Sequence, residues 1–168
     1  MNLQNLEDSD YPLVAAWLSE PQNSRWLRFG PGIRTLEPLT LKLMVRLGRH
    51  MMRLFSAEDG GPPVGVVALS DIDPEFHTAM LWYVLGDTAH RGKGLTSRAV
   101  SRLLTEGFNA GLGAVNAWVV DGNIPSIIVL QRNGFRLIGR QRMCHYIDDR
   151  PRGRLLFDLL ASEHKEHS

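Results

Sequence analysis

A basic turn that contains two glycines stands where an apolar run gives way to a helical pattern. The run Leu81–Leu85 has the composition of a strand, residues 90–94 read His-Arg-Gly-Lys-Gly, and Leu95 opens an amphipathic helical pattern. A strand that passes through such a turn into a helix directs backbone N–H groups and the positive end of the helix dipole at one point. This arrangement binds anions, most often phosphates, so the turn is a candidate site for the pyrophosphate of a nucleotide-derived cofactor.

The residue types in the turn suit that chemistry. Gly92 and Gly94 leave the backbone open to a closely approaching ligand, Arg91 and Lys93 add positive charge, and two hydroxyl groups follow in the first helical turn. The spacing matches neither the GxxxxGK[ST] phosphate loop nor the GxGxxG dinucleotide motif. Alone, the turn is equally consistent with a plain strand-to-helix connection, where glycine is common.

A second segment with possible chemistry follows the next predicted strand. Residues 121–126 read Asp-Gly-Asn-Ile-Pro-Ser, and residues 133–135 read Asn-Gly-Phe at the end of the short helix that begins there. Proline near the first turn and glycine at the end are typical of helix boundaries. Asn123 comes just after the strand, where its amide either bonds the amide groups of a cofactor or caps the helix.

Together the two segments resemble the GCN5-related N-acetyltransferase (GNAT) superfamily, and within it the branch of RimJ/RimL-type ribosomal-protein N-terminal acetyltransferases. The acetyl-CoA loop of that family, [Q/R]-x-x-G-x-[G/A], maps onto residues 91–96, and its N-x-x-S…N-G-F signature maps onto Asn123, Ser126 and the Asn-Gly-Phe run. Thr96 departs from the family pattern, which usually has glycine or alanine at that position. The resemblance covers residues 63–160.

The resemblance implies an α/β (α+β) fold, the GNAT fold, in one domain over residues 1–168 with a polar tail from about residue 162. In that fold a central, mixed, mostly antiparallel and twisted sheet of six to seven strands is flanked by about four helices, and a splayed pair of strands forms the acyl-CoA cleft. The element pattern of the sequence agrees, since it reads αα, βββ, α, β, α, ββ, with a helix-length crossover that makes one strand pair parallel. The predicted strands are Met51–Ser56, Pro63–Leu69, Phe76–Leu85, Ala114–Val120, Phe135–Tyr146 and Leu155–Leu160.

The stretch from residue 21 to residue 38 follows the first predicted helix, which Pro21 ends, and carries aromatic residues among glycines and prolines without a clear period. It is either a packed connector or a lid that contacts the substrate. Trp26 and Phe29 within it are predicted to contact the acceptor. His77, on the third strand, is predicted to do the same and is a weaker candidate for a base.

The resemblance also implies the reaction, in which a primary amine attacks the thioester carbonyl of acetyl-CoA directly in a ternary complex. A backbone N–H of Val84 or Leu85 would supply a donor for the tetrahedral oxyanion. Arg132 would reach the 3′-phosphate of CoA, although a solvated charge on a helix face is the commoner role of such a residue. The predicted cofactor contacts are Tyr83, Val84, Leu85, Arg91, Gly92, Lys93, Gly94, Leu95, Thr96, Ser97, Asn123, Ser126 and Arg132.

Acid–base chemistry is predicted for two residues. The glutamate that many relatives carry on the splayed strand is replaced here by Met80 or Leu81, and the tyrosine that they carry five residues before the Asn-Gly-Phe phenylalanine is replaced by Leu130. By resemblance to RimL-like members, Ser126 is the acid or the hydrogen-bond donor to the thiolate. His145 stands where those members carry a carboxylate, ten residues after the Asn-Gly-Phe phenylalanine, and is proposed to replace it as the base, directly or through water. Histidine suits this role because its ordinary pKa is ~6.5. The ordinary alternatives are a strand histidine and a polar residue in a first helical turn.

The sequence leaves the acceptor open between a protein N-terminus and a small-molecule amine such as an amino sugar or antibiotic, and the donor open to a longer acyl-CoA. Because both usual titratable groups are missing, a catalytically silent acyl-CoA sensor is a further alternative. All of these alternatives use the same cofactor loop, so the loop does not choose among them.

The composition limits the class of protein. With 168 residues, 43% of them hydrophobic, the chain can build one domain with a sizeable core. A net charge of +1 does not favour nucleic acid or a membrane surface as partner, and the single cysteine excludes an internal disulfide and a multi-cysteine metal site. We therefore expect a cytoplasmic monomer or homodimer whose partners are acetyl-CoA, as acyl-donor cosubstrate, and an amine acceptor, without metal, nucleic acid or membrane.

Overall fold

A computed structural model describes residues 2–31, 33 and 35–166 of the chain. In these residues seven strands form one mixed, mostly antiparallel sheet in the order β1-β2-β3-β4-β5-β7-β6. The strands are β1 (Leu3–Gln4), β2 (Met51–Ser56), β3 (Pro63–Asp73), β4 (Thr78–Leu85), β5 (Ala114–Val120), β6 (Arg136–Ile147) and β7 (Arg150–Leu160). The helices are α1 (Tyr11–Ser19), α2 (Pro21–Ser24), α3 (Pro38–Arg46), α4 (Leu95–Asn109) and α5 (Ile124–Arg132), with single 3₁₀ turns at Thr88–His90 and Ala161–Glu163. None of the described helices is long and apolar enough to cross a bilayer.

The predicted bounds of β2 and β5 are confirmed. Strand β4 begins at Thr78, two residues later than predicted, so His77 lies in the turn before it, and both ends of β6 are one residue later than predicted. Three further predictions need correction. The segment from Pro21 begins with a helix, α2, because proline at a first helical position forgoes an N–H that has no partner there anyway. Strand β3 continues to Asp73 across a register shift, and β7 begins at Arg150 because a two-residue turn returns the chain directly from β6. Asp148 and Asp149 form that turn with φ of +51° and +56°, which matches the twist of a tight hairpin.

Helices cover the sheet on both faces. On one face α4 and α5 pack on a core that includes Leu81, Leu103 and Leu130, and on the other α1 and α3 pack on a core that includes Leu18 and Ala68. Side chains of β4 alternate between the two cores because successive residues of a strand point to opposite faces. The sheet therefore separates the two cores. Where it ends or has a gap, elements from both faces can contribute to one site.

The gap lies between β4 and β5, the predicted parallel pair. The two strands pair only where Thr78–Met80 faces Ala114–Asn116. Beyond that point β4 keeps its pairing with β3 as far as Leu85, and β5 keeps its pairing with β7 as far as Val120, but the two strands no longer pair with each other. The sheet thus opens as a V with its vertex at Met80 and Asn116. Past the vertex the inner backbone groups of both strands have no strand partner.

Candidate active site

A cavity of about 1230 Å³ occupies the open part of the V. The turn after β4 and the first turn of α5 border one end, residues near the vertex border the other, and the segment after α1 covers the side. The structure thus brings together most of the residues predicted to contact a cofactor. Those that line the cavity are Tyr83, Val84, Leu85, Arg91, Gly92, Gly94, Leu95, Thr96, Ser97, Asn123, Ser126 and Arg132.

The turn before α4 has an open backbone. Gly92 and Gly94 lie in the left-handed region with φ of +76° and +71°, and a Cβ atom at either position would meet nothing within 4 Å. Gly94 is the residue from which α4 begins, and the first amides of a helix have no partner inside the helix. Asp87 fixes the approach to this turn because its carboxylate accepts from the N–H of Ala89 at 2.9 Å. The turn therefore offers free N–H groups and space for an anion.

A smaller cavity of about 300 Å³ lies beside Gly94 and is bordered by three cations, Lys93, Arg98 and Arg132. No ion pair with a described residue neutralises any of them. Ser97 adds a hydroxyl group to the same wall. This is where the structure places Lys93, which does not line the larger cavity, and the cluster can hold a second phosphate group.

Two hydrogen-bonding side chains fix the elements around the V. Asn133 is buried at the end of α5, and its Nδ2 donates to the carbonyl of Ser97 at 3.2 Å and to the carbonyl of Val129 at 2.9 Å. Tyr83 reaches from β4 to α5, where its hydroxyl donates to the carbonyl of Ser126 at 3.1 Å. Burial raises the pKa of Tyr83, so this hydroxyl stays a donor. The first turns of α4 and α5 are thereby held on the same side of the cavity.

Ser126 and His145, the two predicted acid–base residues, have different surroundings. Ser126 lines the cavity in the first turn of α5, and its Oγ makes no hydrogen bond with a described residue. His145 is buried outside the lining, with Nε2 at 2.8 Å from the carbonyl of Arg25 and Nδ1 at 3.1 Å from Nη2 of Arg154. A carbonyl only accepts and a guanidinium only donates, so Nε2 carries the proton and Nδ1 is the acceptor. The role of His145 as base stays a prediction, and it requires Nδ1 to release Arg154.

Protonation of His145 is opposed by its surroundings. Burial is the largest effect and lowers the pKa of His145, and the positive charges of Arg154 and Arg28 lower this pKa further. The hydrogen bond to the carbonyl of Arg25 acts in the opposite direction and raises it. The folded chain therefore favours neutral His145. The stability that this group contributes is present above its ordinary pKa of 6.5 and is lost as the pH falls through the lower pKa of the folded chain.

We accordingly expect the free energy of unfolding of the wild-type chain to fall between pH 7.5 and pH 5.5, and to fall less in His145→Gln. Glutamine keeps a donor for Arg25 but does not titrate, so the pH-dependent part is removed while the fold is kept. Urea denaturation at the two pH values measures the difference. An equal fall in both chains would contradict the assignment of neutral His145.

The segment after α1 carries the predicted acceptor contacts. Trp26 and Phe29 line the cavity, and Phe29 packs edge-on against Trp82 of β4 with ring centroids 5.7 Å apart. The segment is held to the β6–β7 turn by the ion pair of Arg25 with Asp148 at 2.8 Å. His77 does not line the cavity: it is exposed in the turn before β4, where its carbonyl accepts from the N–H of Gly113.

Three further lining residues, His50, Ser70 and Asp71, were not singled out by any sequence pattern. They belong to the end of the cavity near the vertex of the V. The register of the β2–β3 and β3–β4 strand pairs, in which Ser70 faces Met80, determines that these residues reach the cavity. That register is a property of the folded sheet, so residue spacing alone does not reveal it.

Comparison with known proteins identifies the family. Residues 1–136 match the family model for the acetyltransferase (GNAT) domain. The chain belongs to the GNAT acetyltransferase family. A relative from Bacillus licheniformis, described as an uncharacterized N-acetyltransferase, p20, is 26% identical over 173 residues, which cover 98% of this chain and 94% of that protein. Family membership confirms the prediction of an enzyme, an acyl-CoA-dependent N-acyltransferase of GNAT type.

Solved structures confirm the predicted GNAT fold. Ribosomal-protein-S5-alanine acetyltransferase from Vibrio fischeri is 21% identical with a TM-score of 0.78, and the match covers 97% of this chain and 94% of that one. RimJ from Mycobacterium smegmatis, in complex with CoA-disulfide, is 21% identical with a TM-score of 0.78, covering 96% and 82%. Spermidine N-acetyltransferase from Vibrio cholerae, in complex with CoA and spermine, is 17% identical with a TM-score of 0.83, covering 96% of each chain.

Proposed function

We propose that this GNAT enzyme moves the acetyl group of acetyl-CoA to a primary amine, either of a small molecule or of a protein N-terminus, by direct attack in a ternary complex. The observation that carries the proposal is the cavity in the V, which joins an open, glycine-containing helix N-terminus to the vertex of a splayed strand pair. With the pyrophosphate on the turn and a second phosphate near Arg132, the pantetheine arm runs back along β4. The backbone from Leu85 to Leu81 spans about 14 Å, so the arm carries the thioester towards the vertex.

Each part of the chain then has a chemical task. The inner backbone groups of β4 pair with the amides of the arm as a neighbouring strand would, and Asn123 offers its amide from the far side. A β4 backbone N–H, for which the sequence predicts Val84 or Leu85, stabilises the oxyanion. Ser126 donates a hydrogen bond to the departing thiolate, whose parent thiol has an ordinary pKa of ~8.5.

The acceptor end favours an amine with an apolar body and a single positive charge. Its walls include the aromatic side chains of Trp26, Phe29 and Trp118. Asp71 is the one carboxylate among the described lining residues, and the positive charge of Arg28 in the same lining opposes its effect on a cationic acceptor. A polyamine carries several positive charges, and each one left without a carboxylate partner weakens binding. We therefore propose a monoamine or an N-terminal amine as acceptor, although a structural neighbour binds spermine.

A thiol-release assay tests both parts of this proposal. The acceptors are 2-phenylethylamine, a peptide with a free N-terminal alanine, glucosamine and spermidine, each with acetyl-CoA. We expect acetyl-CoA to raise Tm, and kcat/KM with the first or second acceptor to exceed that with spermidine by on the order of tenfold.

The other outcomes separate the alternatives. The highest kcat/KM with spermidine would reject the proposed acceptor class and keep acetyl transfer. A raised Tm without thiol release from any amine would favour the silent acyl-CoA sensor. An unchanged Tm with both acetyl-CoA and CoA would reject the placement of the cofactor.

A further inference from the structure

A row of side chains crosses the sheet at the vertex of the V and is not used by the chemistry described so far. Ser70 of β3 pairs with Met80 of β4, and Met80 pairs with Asn116 of β5. His50 directly precedes β2. Because the next residue, Met51, pairs with Leu69 of β3, His50 lies beside Ser70 and continues the row. His50, Ser70 and Met80 all line the cavity, and α3 covers this face.

The ring of His50 has no hydrogen-bond partner in the described chain. Its Nδ1 is buried without a hydrogen bond, and no hydrogen bond or ion pair to a described residue involves its Nε2. A buried polar atom without a partner is uncommon in a native fold and calls for an explanation. Nδ1 is the buried ring nitrogen, which leaves Nε2 to face the cavity that His50 lines, and in the tautomer that carries the proton on Nδ1 this nitrogen offers a lone pair there.

The charge of the surroundings suits a residue that gains a proton during the reaction. Burial lowers the pKa of His50, so the resting ring is neutral near pH 7, and the carboxylate of Asp71 acts in the opposite direction. Among the described residues, Asp71 is the charged group that acts on the pKa of His50, and the nearby Arg49 and His77 act on the pKa of Asp73. A proton on Nε2 would therefore be stabilised by Asp71.

The buried histidine of β6 does not offer the same chemistry. Both nitrogens of His145 are engaged, with Arg25 and with Arg154, and the ring does not line the cavity. His50 lies at the end of the cavity that the thioester approaches, where the residue at the usual glutamate position, Met80 or Leu81, is apolar. The base function that is missing from β4 can therefore be supplied from the start of β2.

We propose that His50 is the general base of acetyl transfer and that Asp71 stabilises its imidazolium form. The proposal rests on the proposed function, because it needs the thioester of acetyl-CoA at the vertex. The amine nitrogen forms its bond to the thioester carbonyl carbon, and Nε2 of His50 takes the N–H proton. The C–S bond then breaks with its electron pair leaving on sulfur, and the thiolate takes one proton from solvent, so CoA leaves as the thiol. The base is restored by losing its proton to solvent, so the net step moves one proton from the amine to sulfur.

The test compares His50→Gln with His164→Gln, a control at the end of the chain away from the cavity. We expect kcat of His50→Gln to fall by about 10²- to 10⁴-fold while the rise in Tm with acetyl-CoA is kept. The wild-type pH–rate profile should lose activity at acid pH as His50 is protonated, and His50→Gln should lack that acid limb. In Asp71→Asn the limb should move to lower pH, a readout that does not depend on the folding of His50→Gln.

Three results would overturn the proposal, and they differ from failure of the proposed function. One is a kcat of His50→Gln within about threefold of wild type, with the acid limb intact. Another is an acid limb that disappears in His145→Gln but stays in His50→Gln, which would return the base to His145. The third is an unmoved limb in Asp71→Asn. If the wild-type chain itself released no thiol with any amine, the proposed function would fail first.

Discussion

Gly94→Val is expected to weaken acetyl-CoA binding on the order of 100-fold. Valine is β-branched and does not tolerate a φ of +71°, so the turn must change shape, and its side chain fills the space next to the free amides. Loss of two charge-assisted hydrogen bonds to the pyrophosphate, at about 1.5 kcal/mol each, corresponds to about two tenfold steps in affinity. Isothermal titration with acetyl-CoA measures the change directly.

The β2–β3 turn provides a matched control. Gly60 has a φ of +78°, and a Cβ atom there would also meet nothing within 4 Å. Gly60→Val therefore carries the same kind of backbone strain, about 1–2 kcal/mol, at a site away from the cavity. We expect it to lower Tm and to leave the affinity for acetyl-CoA unchanged. Unchanged affinity in both variants would show that the cofactor does not lie on the Gly92–Gly94 turn.

Gly86→Ala is expected to destabilise the fold although it adds a single methyl group. Gly86 follows β4, and a Cβ atom there would overlap the indole ring of Trp17 in α1. Its φ is not in the left-handed region, so the effect is steric and comes from a rigid, buried neighbour. Such overpacking costs about 1–3 kcal/mol, which lowers Tm by roughly 2–12 °C in a chain of this size. Thermal unfolding measures it.

Two further variants isolate the cause. Gly113→Ala places a methyl group 3.7 Å from the carbonyl oxygen of His77, an ordinary contact, and should leave Tm nearly unchanged. In a Trp17→Leu background, Gly86→Ala should cost less than in the wild type, because the two side chains no longer compete for one space. Equal costs in both backgrounds would mean that the contact with Trp17 is not the source.

The features that could be predicted from the sequence depend on neighbouring residues. Gly92 and Gly94 predict the left-handed turn because glycine adopts that conformation without a steric penalty. The bounds of β5 follow from an apolar run between two turns, and Pro125 and Gly134 mark the ends of α5. These local signals, in the right order, were sufficient for the family resemblance and for the predicted cofactor contacts, most of which line the cavity.

The features that could not be predicted depend on residues far apart in the chain. Tyr83 bonds the carbonyl of Ser126, and His145 bonds Arg25 across 120 positions of sequence. The similarity to the family placed His145 on the right strand but said nothing about the partners that occupy both of its nitrogens. His50 joins the cavity only through the register of three strands. The start of β7 was missed because its residues pair through backbone groups and show no apolar alternation.

The parting of β4 and β5 also creates two additional sheet edges inside the molecule. An unpaired edge is a template on which another chain can add a strand, and proteins protect such edges by covering them. Here most of residues 22–30 line the opening, and Arg25 in the same segment forms an ion pair with Asp148 of the β6–β7 turn. The segment that carries the predicted acceptor contacts therefore also covers the edges that the parting of β4 and β5 exposes.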